Sequence, residues 1–444
     1  MDANHISFKD IAIIGFTLFA LFFGAGNLVF PPILGQLAGT KIWEANIGFL
    51  LTGVGLPLLS VMAFGLSGKP DLLSLSSRVH PLYGFIYTTV LYLSIGPLFA
   101  MPRTGSVSYE IAIRPFIPDD TNQVILILFT VLYFGVSCLF SLNPSRIIDI
   151  IGKLLTPLLI LFLAILAAAA FANPLGSPQA PSGGYETQAF YSGFQEGYLT
   201  MDALAGMVFG IIVIEAIRAK GASSKRRILA VCGAAALISA ITLSLIYTVL
   251  SYLGATSVPL IGYLDNGGKV LTSISQHYFG TFGGVVLGII VLSACLTTSI
   301  GLTTACSTYL NKLTPAVSYR AYAIGLNIFS AVIANFGLSQ LISISVPVLK
   351  ILYPLAIVLV LLTFMHRWFS GRRPVYIGSL LFTFIISLIQ NLGETGVSTF
   401  GLHEWLKEHL GLYAQGLGWL LPAAAGGLFG LLLTWFGIGR QVQD

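Results

Sequence analysis

Apolar runs of about twenty residues recur along the sequence, separated by short polar or Gly/Pro-bearing stretches. A helix of about 20 apolar residues crosses the hydrocarbon of a bilayer. The pattern predicts twelve spans, at roughly 8–38, 42–66, 81–113, 122–141, 146–171, 191–217, 228–254, 281–311, 318–336, 338–366, 374–392 and 415–438. Several exceed a straight crossing, which predicts tilt or breaks within them. The expected fold class is an all-α polytopic membrane protein.

Composition agrees. Charged residues are 9% of the chain, hydrophobic ones 56%, and the mean hydropathy is +0.88. The net charge of +5 therefore says little about nucleic acid, and no nucleic-acid partner is expected. Read loop by loop, Lys9, Lys69, Arg78, Arg146, Arg218, Lys220, Lys225, Arg226, Arg227, Lys312, Arg320, Arg367, Arg372, Arg373 and Arg440 fall on one side. Only Lys41, Arg114, Lys269 and Lys407 fall on the other. The basic side should be cytoplasmic, with both termini there. A polar decapeptide leads straight into the first span, without a cleavable signal pattern. Cys138, Cys232, Cys295 and Cys306 lie in apolar segments without disulfide or metal spacing and read as packing residues. The Pro/Gly/Ser-rich segment 172–190 reads as an external linker between two halves. Segment 255–280 reads equally as a lid or as a plain surface loop.

Two spans carry helix-breaking sequence. The first has Gly24-Ala25-Gly26-Asn27 inside "FALFFGAGNLVFPP". The sixth has Gly206 and Gly210 in "LAGMVFG", after "YLTMD" with an acid at Asp202. Spans five apart cross in opposite directions, as a five-plus-five inverted repeat requires. Unwinding a membrane helix frees amides at one half-helix start and carbonyls at the other half-helix end. Facing hydrocarbon these cost several kcal/mol each; lining a cavity they become ligands for a carboxylate and for a cation. The competing reading, that Gly and Pro merely kink or pack membrane helices, weakens when two breaks match. A third stretch, "SACLTTSIGLTTACS" (Ser293–Ser307), is hydroxyl-rich, and Ala294, Thr297 and Thr298 lie on or near one face. Its hydroxyls suit either a sodium ion or back-bonding to their own helix.

"FALFFGAGNLVFPP", "IGPLFAMPRTGSVSYE" (Ile95–Glu110), "GYLTMDALAGMVFG" (Gly197–Gly210) and "YPLAIVL" (Tyr353–Leu359) together resemble the BrnQ-type branched-chain amino acid:cation symporters, over nearly the whole chain. More remotely, "GAGNLVFP" and "ACLTTSI" (Ala294–Ile300) are similar to helices of sodium-coupled leucine transporters of the neurotransmitter-symporter type. The resemblance implies an inverted-repeat fold: spans one to five in 1–171, the linker, spans six to ten in 191–366, and two extra helices in 367–444. It implies a sodium site from the carbonyls of Ala20, Phe23 and Ala294 and the hydroxyls of Thr297 and Thr298. Substrate carboxylate would meet amides around Gly24, Ala25 and Gly26, with Asn27 beside it. Gly206 belongs to the second break, and Phe209, Ile95 and Phe99 would form walls. In the leucine transporters the matching asparagine helps bind a further sodium ion. Here its sixth-span partner falls near Leu204, which has no hydroxyl, so one sodium per cycle is expected. Opposite backbone poles with apolar walls suit leucine, isoleucine or valine.

Three basic residues fall outside the loops: Arg103, Lys153 and Lys350. Intramembrane charges face an interior or a cavity. Arg103 is expected to pair with Asp202 and brace the second break, or else to contact substrate. Lys153 pairs with Asp149 one turn away or, as in related proton-coupled transporters, stands in place of sodium and couples to H+. Lys350 has no partner legible in sequence. "HEWLKEH" (His403–His409) fails as a zinc motif, because its histidines are six apart. The Gly280-Gly284-Gly288 ladder reads as close helix packing. No Walker motif, nucleophile elbow or metal cluster appears, so no enzyme is expected. With the resemblance, the expectation is a sodium-coupled carrier of the cytoplasmic membrane, surrounded by lipid and without an obligate protein partner, the alternatives being a proton-coupled symporter using Lys153, a channel or a sensor.

Overall fold

The computed structural model describes residues 6–118, 121–142, 147–222 and 224–436, the side chains of 147–156 excepted. The first half of the chain forms α1 (Phe8–Phe22), α2 (Ala25–Ala38), α3 (Ile42–Leu50), α4 (Leu56–Ser67), α5 (Leu72–Ser76), α6 (Pro81–Leu93), α7 (Ala100–Ala112), α8 (Asn122–Ser141) and α9 (Ile147–Ala172). The second half forms α10 (Tyr185–Glu196), α11 (Asp202–Ala219), α12 (Lys225–Ile261), α13 (Gly267–Leu313), α14 (Tyr319–Ala334), α15 (Leu338–Met365), α16 (Arg373–Glu394), α17 (Leu402–His409) and α18 (Leu420–Trp435). Among the described residues there is no strand. Among the described residues, seven helical stretches are long and apolar enough to cross a membrane, or eight when α10 and α11, bent by 46° at their junction, count as one.

The outside of the fold is apolar. On α8, Val124, Leu128, Val131, Leu132 and Leu139 all project outward, Leu132 with 69% of its surface exposed. The inside holds the polar exceptions, among them Asn27, Arg103 and Asp202, each at most 2% exposed. This inversion of a water-soluble protein is what a lipid solvent selects.

Lipid offers no hydrophobic gain for helix association, so contact rests on close approach at small residues. A Cβ placed at Gly35 would stand 1.9 Å from the Ser251 carbonyl oxygen, and one at Gly254 2.0 Å from that of Pro32. The α2 backbone therefore lies directly on α12. A Cβ at Gly267 would meet the Val29 carbonyl at 1.8 Å, which seats the start of α13 on the same helix. Gly206 and Gly210, expected to form the second break, instead sit inside the continuous helix α11. A Cβ at either would meet α4 at 2.8 Å, at the Pro57 carbonyl and the Phe64 ring respectively. In the glycine ladder, only Gly288 packs tightly on α7, at the Ala112 Cα; Gly280, with φ +59°, is a kink within α13. Segment 255–280 is accordingly helical on both sides of a short turn rather than a loop.

Gly254→Val tests this packing. The added side chain points at main chain that has no room to retreat, and overpacking costs about 1–3 kcal/mol. The expected outcome is a lower thermal unfolding temperature and a smaller monodisperse fraction in detergent, whereas Gly135→Val, in open space, leaves both near wild type.

Candidate functional site

α1 ends at Phe22, and Phe23 and Gly24 are extended. The break is thus two residues long, and Ala25, Gly26 and Asn27 already belong to α2. The amide of Gly24 would have closed α1 onto the Ala20 carbonyl. It donates instead to Asn27 Oδ1, at 2.8 Å. The last carbonyls of α1 and the first-turn amides of α2 lack intrahelical partners. A Cβ at Gly24 would stand 3.3 Å from Thr298 Oγ1, so the hydroxyl of α13 faces this break.

The second break lies earlier than its glycines suggested. A 3₁₀ turn over Gly197–Thr200 continues α10, Met201 takes φ +63°, and α11 begins at Asp202. A left-handed methionine is a sterically costly conformation that surrounding packing must hold. Thr200 and Met201 are buried. The two breaks touch: a Cβ at Gly26 would lie 3.2 Å from Thr200 Cα and 3.3 Å from its carbonyl oxygen.

Side chains join the breaks. Asn27 Nδ2 donates to Asp202 Oδ2 at 2.6 Å and also to the Tyr247 hydroxyl of α12. Tyr247 in turn donates to the same Asp202 oxygen at 2.9 Å. Because the Gly24 amide fixes Asn27 Oδ1 as an acceptor, the orientation of the Asn27 amide is determined.

Arg103 does not pair with Asp202, contrary to expectation. Its Nη1 donates to the Leu199 carbonyl at 2.6 Å and its Nη2 to Ser345 Oγ at 2.9 Å, with the guanidinium 5.1 Å from the centre of the Phe30 ring. The charge caps the carbonyl end of the α10 segment, where a helix dipole is negative. Lys350 does find a partner, Glu394 on α16, at 2.6 Å. The side chain of Lys153, and with it the pairing to Asp149, lies outside the described residues.

Between the breaks is a cavity of about 40 Å³, on a measure in which one water needs about 10–15 Å³. Gly24, Ala25, Gly26, Asn27, Ile95, Arg103, Asp202, Phe209 and Thr298 line it, as do Ala100, Thr104, Thr200, Met201, Ala205 and Leu302. Gly206 is absent from this wall. Phe99 is buried at the end of a π-helical turn (Ser94–Leu98), and its neighbour Ala100 takes the place expected for it. The Thr297 and Thr298 hydroxyls both donate to the Ala294 carbonyl, at 2.8 and 3.1 Å. Such a bond uses the hydroxyl proton and leaves oxygen lone pairs free. Chemically, the cavity combines open amides, open carbonyls, one buried acid, one buried guanidinium and an aliphatic/aromatic wall. Tyr247 and Thr200 escaped sequence reasoning. Nothing marks Tyr247 within an apolar span, whereas Thr200, two residues before Asp202 in "YLTMD", carries a legible signal in its hydroxyl beside an intramembrane acid.

A multi-pass helical membrane chain with opposed helix breaks around a small polar-and-apolar cavity belongs to the class of membrane transporters. The fold is that of solved transporters: Mhp1, a nucleobase-cation-symport-1 family transporter in a closed conformation with bromovinylhydantoin bound, superposes with a TM-score of 0.62 at 12% identity, covering 95% of this chain and 92% of its own. MhsT in complex with L-phenylalanine gives 0.57 at 15% identity, covering 95% and 98%. The profile of the family described as "Branched-chain amino acid transport protein" matches residues 7–437, and the chain belongs to that family. It is 54% identical over 434 residues to the branched-chain amino acid permease BrnQ of Bacillus subtilis (strain 168), covering 98% of this chain and 99% of the relative. It is 47% identical to the permease BraB of the same organism and 39% identical to BrnQ of Escherichia coli (strain K12), each covering 99% of both chains. These relatives are permeases, and the chain is a transport protein rather than an enzyme.

Arg103→Lys separates charge from geometry. A lysine keeps the charge but lacks the fork that reaches Leu199 and Ser345 together. Losing one charge-assisted bond in a buried site costs about 1.5–3 kcal/mol. The purified variant should unfold at a distinctly lower temperature than wild type; an unchanged transition would remove Arg103 as the brace of the second break.

Proposed function

We propose that the protein imports branched-chain amino acids (leucine, isoleucine and valine) across the cytoplasmic membrane together with sodium, by alternating access. The observation that carries this reading is the cavity between the two breaks, in a chain of the branched-chain amino acid transport family. The α2 amides at Ala25 and Gly26 receive the substrate carboxylate, the open carbonyls receive its ammonium, and Ile95, Ala205, Phe209 and Leu302 take the aliphatic side chain. One methylene in such a wall is worth about 1–3 kcal/mol, so the three substrates share the site.

Sodium binds the carbonyls of Ala20, Phe23 and Ala294 and the hydroxyls of Thr297 and Thr298. Two features support this: the Gly24 amide is diverted from the Ala20 carbonyl, and Thr298 stands against Gly24. An inside-negative potential of about 100 mV adds about 2.3 kcal/mol per sodium ion carried, roughly fifty-fold accumulation. The chain is organised as twelve spans with both termini cytoplasmic. Residues 1–171 and 191–366 form inverted repeats joined by 172–190, and 367–444 add the last two spans. The repeats rock about the breaks.

Labelled leucine uptake into proteoliposomes, with sodium and proton gradients imposed separately, tests the reading. Uptake should require sodium; uptake that runs on a proton gradient in the complete absence of sodium would move ion coupling away from the hydroxyl pair. Thr298→Ala should raise the sodium concentration for half-maximal uptake at least tenfold with expression retained, and an unchanged sodium dependence would remove this ion site. Gly26→Val drives a side chain into the Thr200 backbone and should abolish leucine binding; normal affinity would refute the pocket.

A further inference from the structure

We infer that Asp202 binds a proton whenever the substrate carboxylate enters the cavity, so that a buried acid in the second break is a coupling group of the carrier. The inference rests on reading this cavity as the amino-acid site.

Asp202 is 2% exposed and lines the cavity. Its Oδ2 accepts hydrogen bonds from two neutral donors, Asn27 and Tyr247, and the neutral hydroxyl of Thr200 also lies against the carboxyl group. No lysine, arginine or histidine among them forms an ion pair with it. The cation of the cavity, Arg103, is committed to Leu199 and Ser345. A buried carboxylate held only by neutral groups is costly while charged and is not while protonated.

The neighbouring helix start sharpens the case. Asn27 sits in the first turn of α2, whose amides receive the substrate carboxylate, and the same residue bonds Asp202 at 2.6 Å. An ionised Asp202 would place two like charges on one small cavity. With Arg103 held by Leu199 and Ser345 and the substrate ammonium at the open carbonyls, a further cation is needed to relieve that repulsion. Sodium prefers a shell of oxygens, but Asn27 turns its oxygen to Gly24 and offers Asp202 only N–H groups. A proton needs no such shell. The proton comes from one aqueous side, forms an O–H bond on Asp202, and leaves to the other side when the substrate carboxylate departs; no bond to substrate is made.

The other titratable groups facing this acid are Tyr247 on α12 and Tyr353 on α15; Arg103 on α7 shares the cavity, Glu196 on α10 interacts with Arg103, Tyr198 stacks on Tyr353, and α4 presents none. Tyrosines stay neutral across the physiological range, so Asp202 and Glu196 are the acids to separate by mutation.

The experiment uses the purified full chain in weakly buffered solution with a pH indicator, and leucine as ligand. Wild type should take up about one proton per leucine bound when measured above the titration of Asp202. Its leucine affinity should fall toward tenfold per pH unit on that alkaline side, the sign expected when the protonated form binds. Asp202→Asn mimics the neutral acid: its proton uptake should vanish and its leucine affinity become flat with pH. Tyr247→Phe keeps the acid and should keep the proton count, with the pH profile displaced; Glu196→Gln should keep both. Leucine binding by wild type without proton uptake would overturn the inference while leaving the substrate site standing. So would a proton count unchanged in Asp202→Asn. Loss of labelled sodium binding, rather than of proton uptake, in Asp202→Asn would overturn it in favour of a metal ion. Should Asp202→Asn not fold, the proton count in wild type and Tyr247→Phe decides alone. Absence of leucine binding in wild type at every pH would fail the site itself.

Discussion

A backbone group released inside hydrocarbon must find a partner, and the centre of this protein is arranged around that constraint. Two helices stop and restart at mid-length, and several of the released groups have side-chain partners. The Gly24 amide goes to Asn27, the Leu199 carbonyl to Arg103, and the Asp202 amide to Thr200 Oγ1 at 3.3 Å. Other open groups border the cavity. Asn27 and Arg103 are thus each tied to a main-chain group at a break, and Arg103 and Asp202 do not pair with each other.

The rest of the fold serves to bring those two ends together. Gly26 and Thr200 approach within the distance of one missing methyl group, and this requires α2 to be held to within backbone contact of its neighbours. Gly35 and Gly254 provide that contact with α12, and Gly267 provides it with α13. Gly206 and Gly210 do the same for α11 on α4. A larger residue at these places would widen the gap that the Asn27–Asp202 bond spans, so helix packing far along each helix governs the geometry at the breaks.

Much of this was legible in the sequence for a physical reason: hydropathy and helix-breaking residues act locally. The helical class, the apolar exterior and the first break could be read from runs of Val, Leu and Phe and from "GAGN". The second break was misplaced because glycine marks two different needs, freedom of φ and close approach. At Gly206 and Gly210 the need is close approach, while the left-handed residue is Met201, held there by its surroundings. Partner choice was also beyond reach. Asp202 and Arg103 look like an obvious pair in an apolar sequence, yet each is claimed by a group whose need only the fold reveals. Tyr247 on α12 carries no sequence mark at all, and Lys350 finds Glu394 across 44 positions of chain.

Keeping Arg103 and Asp202 apart has a consequence for a carrier. A direct ion pair would neutralise both and leave a rigid, inert strut between α7 and α11. Separated, the guanidinium stabilises a helix end whatever occupies the cavity, because its partners are main chain and a serine. The carboxylate is left with neutral donors and no fixed counter-charge, so its protonation state can answer to what enters beside it. One buried charge is thus fixed as structure and the other is free to respond. A site that must bind and release on alternate sides needs that division, since a group locked in a salt bridge has no differential interaction with the loaded and empty states.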